Sequence, residues 1–179
     1  MPDVALCRHA ATHVNLAKRF LSSTDPPLCA RGREQCIALR EALRGLLFER
    51  CLVSPMRRCL ETRELVAPEL PFEVDDALRE VDFGTWEGQT LESLELHVPE
   101  LLVQRRLDPV HFRPPGGESI EDAALRLQPF VARLREGGAT LVIGHRVTLS
   151  VLERLLRKLP LESQFVTPLE TAEFRCVPA

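Results

Sequence analysis

The chain has 179 residues, 45% of them hydrophobic, so its length suits one domain with a sizeable core and is short for two. Its 23 Lys and Arg and 26 Asp and Glu residues give a formal charge of −3, which argues against a basic surface for nucleic acid. There is no apolar stretch of 18 residues and no secretory leader pattern. We therefore expect a cytoplasmic protein without membrane insertion.

Six cysteines are present, but none of them falls in a C-x-x-C spacing, and most lie inside apolar segments. We expect reduced, buried thiols that pack as small hydrophobic side chains rather than disulfides.

Short apolar runs alternate with helical patterns along the chain, which is typical of an α/β domain in which strands lead into helices. Strands are predicted at Val4–Cys7, Cys51–Val53, Phe72–Val74, Ala139–Ile143 and Thr171–Val177. Helices are predicted over 31–48, 55–65, 120–136 and 147–159, with a less regular helical pattern over 90–112. Pro129 should bend or interrupt the third of these helices.

Two of the predicted strands end in a histidine. Arg8 and His9 follow the first strand, and His145 follows the strand at Ala139–Ile143. In open α/β sheets ligands bind at the carboxyl ends of the strands, so these side chains are expected at one binding edge. Arg58 and Glu80 also fall at strand ends or in loops.

Two histidines, two arginines and one carboxylate form a plausible set for phosphoryl transfer. Arginine offers a planar fork of donors that binds phosphate oxygens and neutralises their charge. An unprotonated histidine nitrogen can attack phosphorus, and a carboxyl group can protonate the leaving oxygen.

The motifs resemble those of the histidine phosphatase superfamily, the phosphoglycerate mutase-like proteins. Six segments follow the family's order: 6–15 (LCRHAATHVN), 25–35 (DPPLCARGREQ), 53–62 (VSPMRRCLET), 78–88 (LREVDFGTWEG), 115–119 (PGGES) and 142–145 (VIGH). The resemblance implies a three-layer α/β/α sandwich with a mostly parallel central sheet. It also implies that residues 1–179 form a single histidine phosphatase domain, with a substrate-covering insertion around 90–118.

The resemblance further implies roles for individual residues. His9 would be the nucleophile that forms a phosphohistidine, and Glu80 would be the proton donor. The phosphate-binding residues would be Arg8, Asn15, Arg58 and His145, with His145 also counted as catalytic. No metal and no cofactor are expected. Asp82 and Glu87 remain alternative carboxylates to Glu80.

The sequence departs from the family pattern on both sides of the site. Ala10 replaces the glycine that normally follows the nucleophile, and Ala11 stands where Glu or Gln is common. A methyl group at position 10 would be excluded if the backbone there needs a positive φ. Arg146 replaces a glycine after the second histidine, where it either adds a cation to the pocket or points away from it.

The expected function is hydrolysis of a small phosphorylated metabolite, most like the α-ribazole phosphatase or broad-specificity branch. A mutase is the first alternative, and a protein phosphohistidine phosphatase is ranked third. A binding or regulatory member with impaired catalysis is the alternative from another class, because of Ala10 and Arg146. Neither a nucleic-acid nor a membrane partner is expected, and the choice between monomer and homodimer stays open.

Two further features have two readings each. Arg105 and Arg106 are expected on a helix surface, with a second anion site as the alternative. Phe83 and Trp86 are expected to pack beneath a loop rather than contact a ligand.

Overall fold

The computed structural model describes residues 4–163 and 166–178. Its strands are β1 (Val4–Arg8), β2 (Arg50–Val53), β3 (Phe72–Val74), β4 (Thr140–Gly144) and β5 (Phe174–Val177). They form one sheet in the order β3-β2-β4-β1-β5. The first four strands are parallel, and β5 pairs antiparallel with β1 at one edge.

Helices cover both faces of the sheet. They are α1 (His13–Leu16), α2 (Ala30–Ala42), α3 (Arg57–Val66), α4 (Leu91–His97), α5 (Pro99–Leu107), α6 (Ile120–Glu136) and α7 (Arg146–Leu156). Short 3-10 turns lie at Asp76–Leu78 and Gly84–Trp86.

The central strands are buried on both faces, which explains their continuous apolar runs. On β1, Val4 and Leu6 face α6 and α7, whereas Ala5 and Cys7 face α2 and α3. This alternation is the period of two expected of a strand. The predicted α/β/α sandwich with a mostly parallel sheet is confirmed.

The segment 90–118 contains α4 and α5 and a following loop. Leu94 and Leu102 of this segment pack with Phe83 and Trp86 in a small cluster separate from the two main cores. Phe83 and Trp86 therefore do pack beneath this segment, as expected.

Helix α2 ends at Ala42, earlier than the predicted boundary. Ile37 and Leu47, which were counted toward its apolar face, are both exposed. Helix α6 runs through Pro129 without interruption. Because Pro129 and Leu125 are both exposed, the carbonyl that loses its helical N–H partner lies on the solvent side.

All six cysteines are free thiols, and Cys7, Cys36, Cys51 and Cys59 are buried. Burial raises the pKa of Cys51 to about 12, which favours the protonated thiol over the reactive thiolate. Across the described residues, none of the helices combines the length and the hydrophobicity needed to cross a membrane.

Candidate active site

His9 and His145 lie side by side because β1 and β4 are parallel neighbours. Arg8 pairs in register with Gly144, so the residues that follow them, His9 and His145, leave the sheet next to each other. The backbone N–H of His9 donates to the Gly144 carbonyl at 3.0 Å. The two imidazole ring centroids are 5.2 Å apart, with an angle of 61° between the ring planes.

A backbone contact fixes the orientation of the His9 ring. Its Nδ1 lies 2.8 Å from the Ala10 carbonyl oxygen. A carbonyl only accepts, so Nδ1 carries the proton and Nε2 carries the lone pair. Burial, and then the charges of Arg8 and Arg58, hold the pKa of His9 well below its usual range. The ring is therefore neutral at neutral pH, as a nucleophile requires.

The alanine at position 10 fits its place. Its backbone N–H donates to Thr62 Oγ1 at 3.0 Å, and its methyl group joins the core cluster beneath α2 and α3. Among the described non-glycine residues, positive φ occurs at Lys18, Lys158 and Ala172 and not at Ala10. No glycine is needed at position 10, so the strain considered from the sequence does not arise.

Arg8 is buried at the end of β1. One terminal nitrogen donates to the Leu169 carbonyl at 3.0 Å and lies 3.7 Å from a Glu170 carboxylate oxygen. Arg8 Nε is buried without an acceptor in the part of the chain that the structure describes. Burial lowers the pKa of Arg8, but a guanidinium keeps its charge at neutral pH. Arg8 thus brings a cation with free donors to the site.

Arg58 is fully buried, and most of its donors are engaged. Its terminal nitrogens donate to the carbonyls of Ser22 (3.0 Å) and Thr24 (2.9 Å) and to Asp25 Oδ1 (3.3 Å). Its Nε donates to Nδ1 of His145 at 3.3 Å. Four of the five guanidinium N–H groups are therefore used, and one is left for a ligand.

His145 is held at both ring nitrogens. Because Nδ1 accepts from Arg58, Nε2 carries the proton and donates to Ser54 Oγ at 2.8 Å. Burial and the charge of Arg58 hold its pKa well below the usual range. No sequence signal placed Ser54 against His145.

Glu80 lies against the N-terminus of α7, the helix that begins directly after His145. Its Oε1 accepts from the backbone N–H groups of Val81 and Thr148, both at 3.0 Å. Its Oε2 has one donor within residues 4–163 and 166–178, the N–H of Val147 at 3.2 Å. The amide groups at the start of the helix hold the carboxylate beside the second histidine.

The Thr148 hydroxyl also contacts Glu80. Thr148 Oγ1 donates to the Arg79 carbonyl at 2.7 Å and lies 3.1 Å from Glu80 Oε1. A hydroxyl has one proton to donate and two lone pairs. While that proton goes to Arg79, Thr148 Oγ1 can accept a hydrogen bond from Oε1 of Glu80 when that oxygen is protonated. Sequence reasoning missed Thr148, although its place near the start of a helix after His145 was a signal.

The two alternative carboxylates are committed elsewhere. Glu87 accepts from the backbone and hydroxyl of Ser22 and from the backbone of Thr24, so it fixes the segment bound to Arg58. Asp82 Oδ1 accepts from the backbone of Gly84 within its own loop. Of the three carboxylates, Glu80 is the one held at the start of α7.

Asn15 lies in α1, close after the His9 loop. Its Oδ1 accepts from the backbone and hydroxyl of Thr12 in a capping box. Its side-chain amide nitrogen has no partner among residues 4–163 and 166–178. The structure thus orients Asn15 through its oxygen and leaves its donor groups unused.

Arg146, the first residue of α7, does not enter the site as a free cation. It donates to Glu170 Oε1 at 2.7 Å, and Glu170 also lies beside Arg8. Arg146 is about half exposed, so it turns toward the surface with its own counter-charge.

Two cavities flank Glu80. One, of about 350 Å³, includes Glu80 with Asp76, Arg79 and Asp82. The other, of about 330 Å³, lies under the 90–118 segment and includes Val147. Within the part of the chain that the structure describes, no group of three or more His, Cys, Asp and Glu side chains could hold a metal ion.

The sheet order and the paired histidines at its carboxyl edge define a family. Residues 4–177 match the model of the histidine phosphatase superfamily, branch 1. The chain belongs to this family, and the expectation of a phosphatase family member is confirmed.

Relatives and solved structures agree with this assignment. The chain is 34% identical over 152 residues to 6-phosphofructo-2-kinase/fructose-2,6-bisphosphatase 1 of Rattus norvegicus, covering 84% of this chain and 31% of that protein. The chain therefore spans about a third of the length of such relatives. The α-ribazole phosphatase of Shigella flexneri superposes with a TM-score of 0.84 at 29% identity, covering 96% of this chain and 87% of that one. A mycobacterial glucosyl-3-phosphoglycerate phosphatase complexed with VO3 has a TM-score of 0.86 at 28% identity, covering 96% and 90%.

Proposed function

We propose that this protein is a metal-independent phosphomonoesterase that hydrolyses a small phosphorylated metabolite through a phosphohistidine on His9. One observation carries the proposal: the Nδ1 contact with Ala10 points a neutral, unprotonated Nε2 of His9 into a site bordered by Arg8 and His145. The named phosphatase activities of the structural neighbours support hydrolysis rather than mutase chemistry.

In the first step, Nε2 of His9 attacks the phosphorus atom and forms an N–P bond. The P–O bond to the leaving alcohol breaks, and a protonated Glu80 gives its proton to that oxygen. Oε2 of Glu80 suits this role because it carries a single 3.2 Å bond from Val147. The products of the step are the free alcohol, the phosphohistidine and a Glu80 carboxylate.

In the second step, the Glu80 carboxylate takes a proton from water as the water oxygen attacks phosphorus. The N–P bond breaks, phosphate is released and the neutral His9 ring is restored. The backbone N–H groups of Val81, Val147 and Thr148 hold the carboxylate in place for this role.

The phosphoryl oxygens would be bound unequally by the surrounding cations. Arg8 has most of its donors free, so we assign it the main contacts. Arg58 contributes its charge and one remaining N–H, and it orients His145 through Nε. The unused amide nitrogen of Asn15 would be a further donor.

The test is hydrolysis of 4-nitrophenyl phosphate in the presence of a chelator by the wild-type protein and His9→Ala. We expect turnover by the wild type and a loss of at least about 1,000-fold in the variant, because the nucleophile is absent. His97→Ala is the matched control, since His97 is exposed on α4.

A trapped intermediate separates this mechanism from direct attack by water. Rapid acid-free quenching during turnover should reveal one phosphoryl group per chain that is lost in mild acid and retained in base. Equal turnover by His9→Ala, or turnover abolished by the chelator, would contradict the proposal.

A further inference from the structure

The two cavities beside Glu80 differ in charge. In the cavity that contains Glu80, Arg79 pairs with Asp76, and Asp82 is left as a further negative charge. The cavity under the 90–118 segment instead contains three arginines: Arg105, Arg146 and Arg154. An anionic substrate is disfavoured in the first cavity and favoured in the second.

The acidic groups of the second cavity do not balance its arginines. Glu118 is engaged by Arg126, and Glu162 is exposed. Arg146 is neutralised by Glu170, whereas the acceptors of Arg154 among the described residues are the backbone carbonyls of Ser150 and Ser163. The cavity therefore has a surplus of positive charge.

Of the three arginines in this cavity, Arg105 is the one for which the described residues provide neither a counter-ion nor an acceptor. No carboxylate or other acceptor within residues 4–163 and 166–178 bonds to its guanidinium. The guanidinium carbon lies 5.5 Å from the ring centroid of Trp86 and 6.0 Å from that of Phe20. Stacking on the two rings positions the group and leaves its N–H donors free.

Neighbouring arginines show how unusual this state is. In the same region Arg113 pairs with Asp122, and Arg126 pairs with Glu118. Arg106, the next residue of α5, is exposed to water, whereas Arg105 is half-buried. Partial burial of an unpaired guanidinium costs solvation, and an anion bound there would offset that cost. The sequence expectation that both arginines lie on the helix surface is thus wrong for Arg105.

We propose that this cavity binds the alcohol portion of the substrate and that Arg105 pairs there with a second anionic group, a phosphate or a carboxylate. The substrate class is then a phosphomonoester whose leaving alcohol carries an additional negative charge. The inference rests on the proposed hydrolysis at His9. It deepens that function by assigning Arg105 as a specificity residue.

The cavity is next to the proposed chemistry. Val147 lies in its wall, and the backbone N–H of Val147 donates to Oε2 of Glu80. An alcohol oxygen protonated by Glu80 would therefore leave at the mouth of the cavity. Phe112, Val147 and Leu161 are partly exposed in its lining and provide an apolar surface for the carbon skeleton between that oxygen and Arg105.

The test compares three aryl substrates: phenyl phosphate, 4-carboxyphenyl phosphate and 1,4-phenylene bisphosphate. Each protein is described by the ratio of kcat/KM for a doubly substituted substrate to kcat/KM for phenyl phosphate. The intrinsic reactivity of each leaving group is common to all variants, so it cancels when the ratios are compared. We expect Arg105→Gln to lower the ratio at least about tenfold, as for loss of one charge-assisted hydrogen bond.

Arg106→Gln is the matched control and should keep the wild-type ratio within twofold. A ratio lowered only for the carboxylate or only for the bisphosphate would identify which anion is bound. Arg105→Gln with wild-type ratios for both substrates would overturn the inference.

Binding separates this inference from the proposed reaction. On a His9→Ala background, the Kd of 4-carboxyphenyl phosphate is measured by calorimetry with and without Arg105→Gln. We expect at least about tenfold weaker binding in the double variant, and equal Kd values would overturn the inference even without turnover. Absence of hydrolysis of all three aryl substrates by the wild type would instead refute the proposed function alone.

Discussion

Replacing Gly32 by alanine should displace the loop that carries the nucleophile. Gly32 lies in the first turn of α2, against the backbone of Ala11. The same loop is held by the backbone N–H of Cys29, which donates to the Ala11 carbonyl at 3.0 Å. Gln35 Oε1 accepts from the Ala11 N–H at 2.9 Å. Gly32 and Gln35 are three residues apart, so they lie on one face of α2, and both contact the backbone of Ala11.

The size of the displacement follows from the geometry. A Cβ on Gly32 would lie 2.1 Å from the Ala11 carbonyl oxygen, where real contacts are no shorter than 3.0 Å. The two backbone segments must therefore separate by about 0.9 Å. The Cβ is fixed to the backbone of Gly32 and the oxygen is part of the backbone of Ala11, so neither atom can rotate away. A misplacement of about 1 Å in an active site costs roughly 100-fold in rate. Overpacking costs about 1–3 kcal/mol of stability, of which better helix propensity returns up to about 1 kcal/mol.

The assay is kcat/KM for aryl phosphate hydrolysis together with the free energy of unfolding in urea. We expect Gly32→Ala to lose about 100-fold in kcat/KM while remaining folded. Gly138→Ala is the matched control, because its Cβ would meet only the carboxylate end of the exposed Glu49 side chain. A kcat/KM for Gly32→Ala within threefold of wild type would refute the argument that this contact positions His9.

Two further outcomes are expected. Thr148→Val removes the hydroxyl partner of Glu80 and should lower kcat/KM about tenfold for phosphomonoesters whose leaving alcohol must be protonated. The loss should be smaller for 4-nitrophenyl phosphate, and Thr148→Ser should restore activity. Equal losses on both substrates would exclude a role through the proton of Glu80. The lowered pKa of His145 means that the unfolded chain binds a proton there more readily, so the free energy of unfolding should fall as pH drops below 6.5. At pH 5 this contribution reaches at most about 2 kcal/mol, and urea unfolding of His145→Asn should show a smaller loss between pH 7 and 5 than wild type; equal losses would contradict the assignment.

The strands and the edge that binds the ligand could be predicted from local pattern. The apolar runs before His9 and His145 are buried on both faces, and such runs stand out in sequence. The motif resemblance then aligned Arg58 and Glu80 with them. Element boundaries were less accurate, as in α2, because an exposed apolar residue, Leu47, extends the apolar pattern beyond the helix.

What the sequence determined by itself was therefore the layer architecture, the family and the residue types at the carboxyl edge. Which carboxylate lies at the start of α7 was decided by tertiary structure, since Glu80, Asp82 and Glu87 are close in sequence and differ only in what packs around them. The same is true of Arg105 and Arg106, which are adjacent in sequence. A helix turns about 100° per residue, so packing α5 over Trp86 buries one guanidinium and leaves the other in water. Side-chain pairing between distant segments depends on that packing, and local pattern does not encode it.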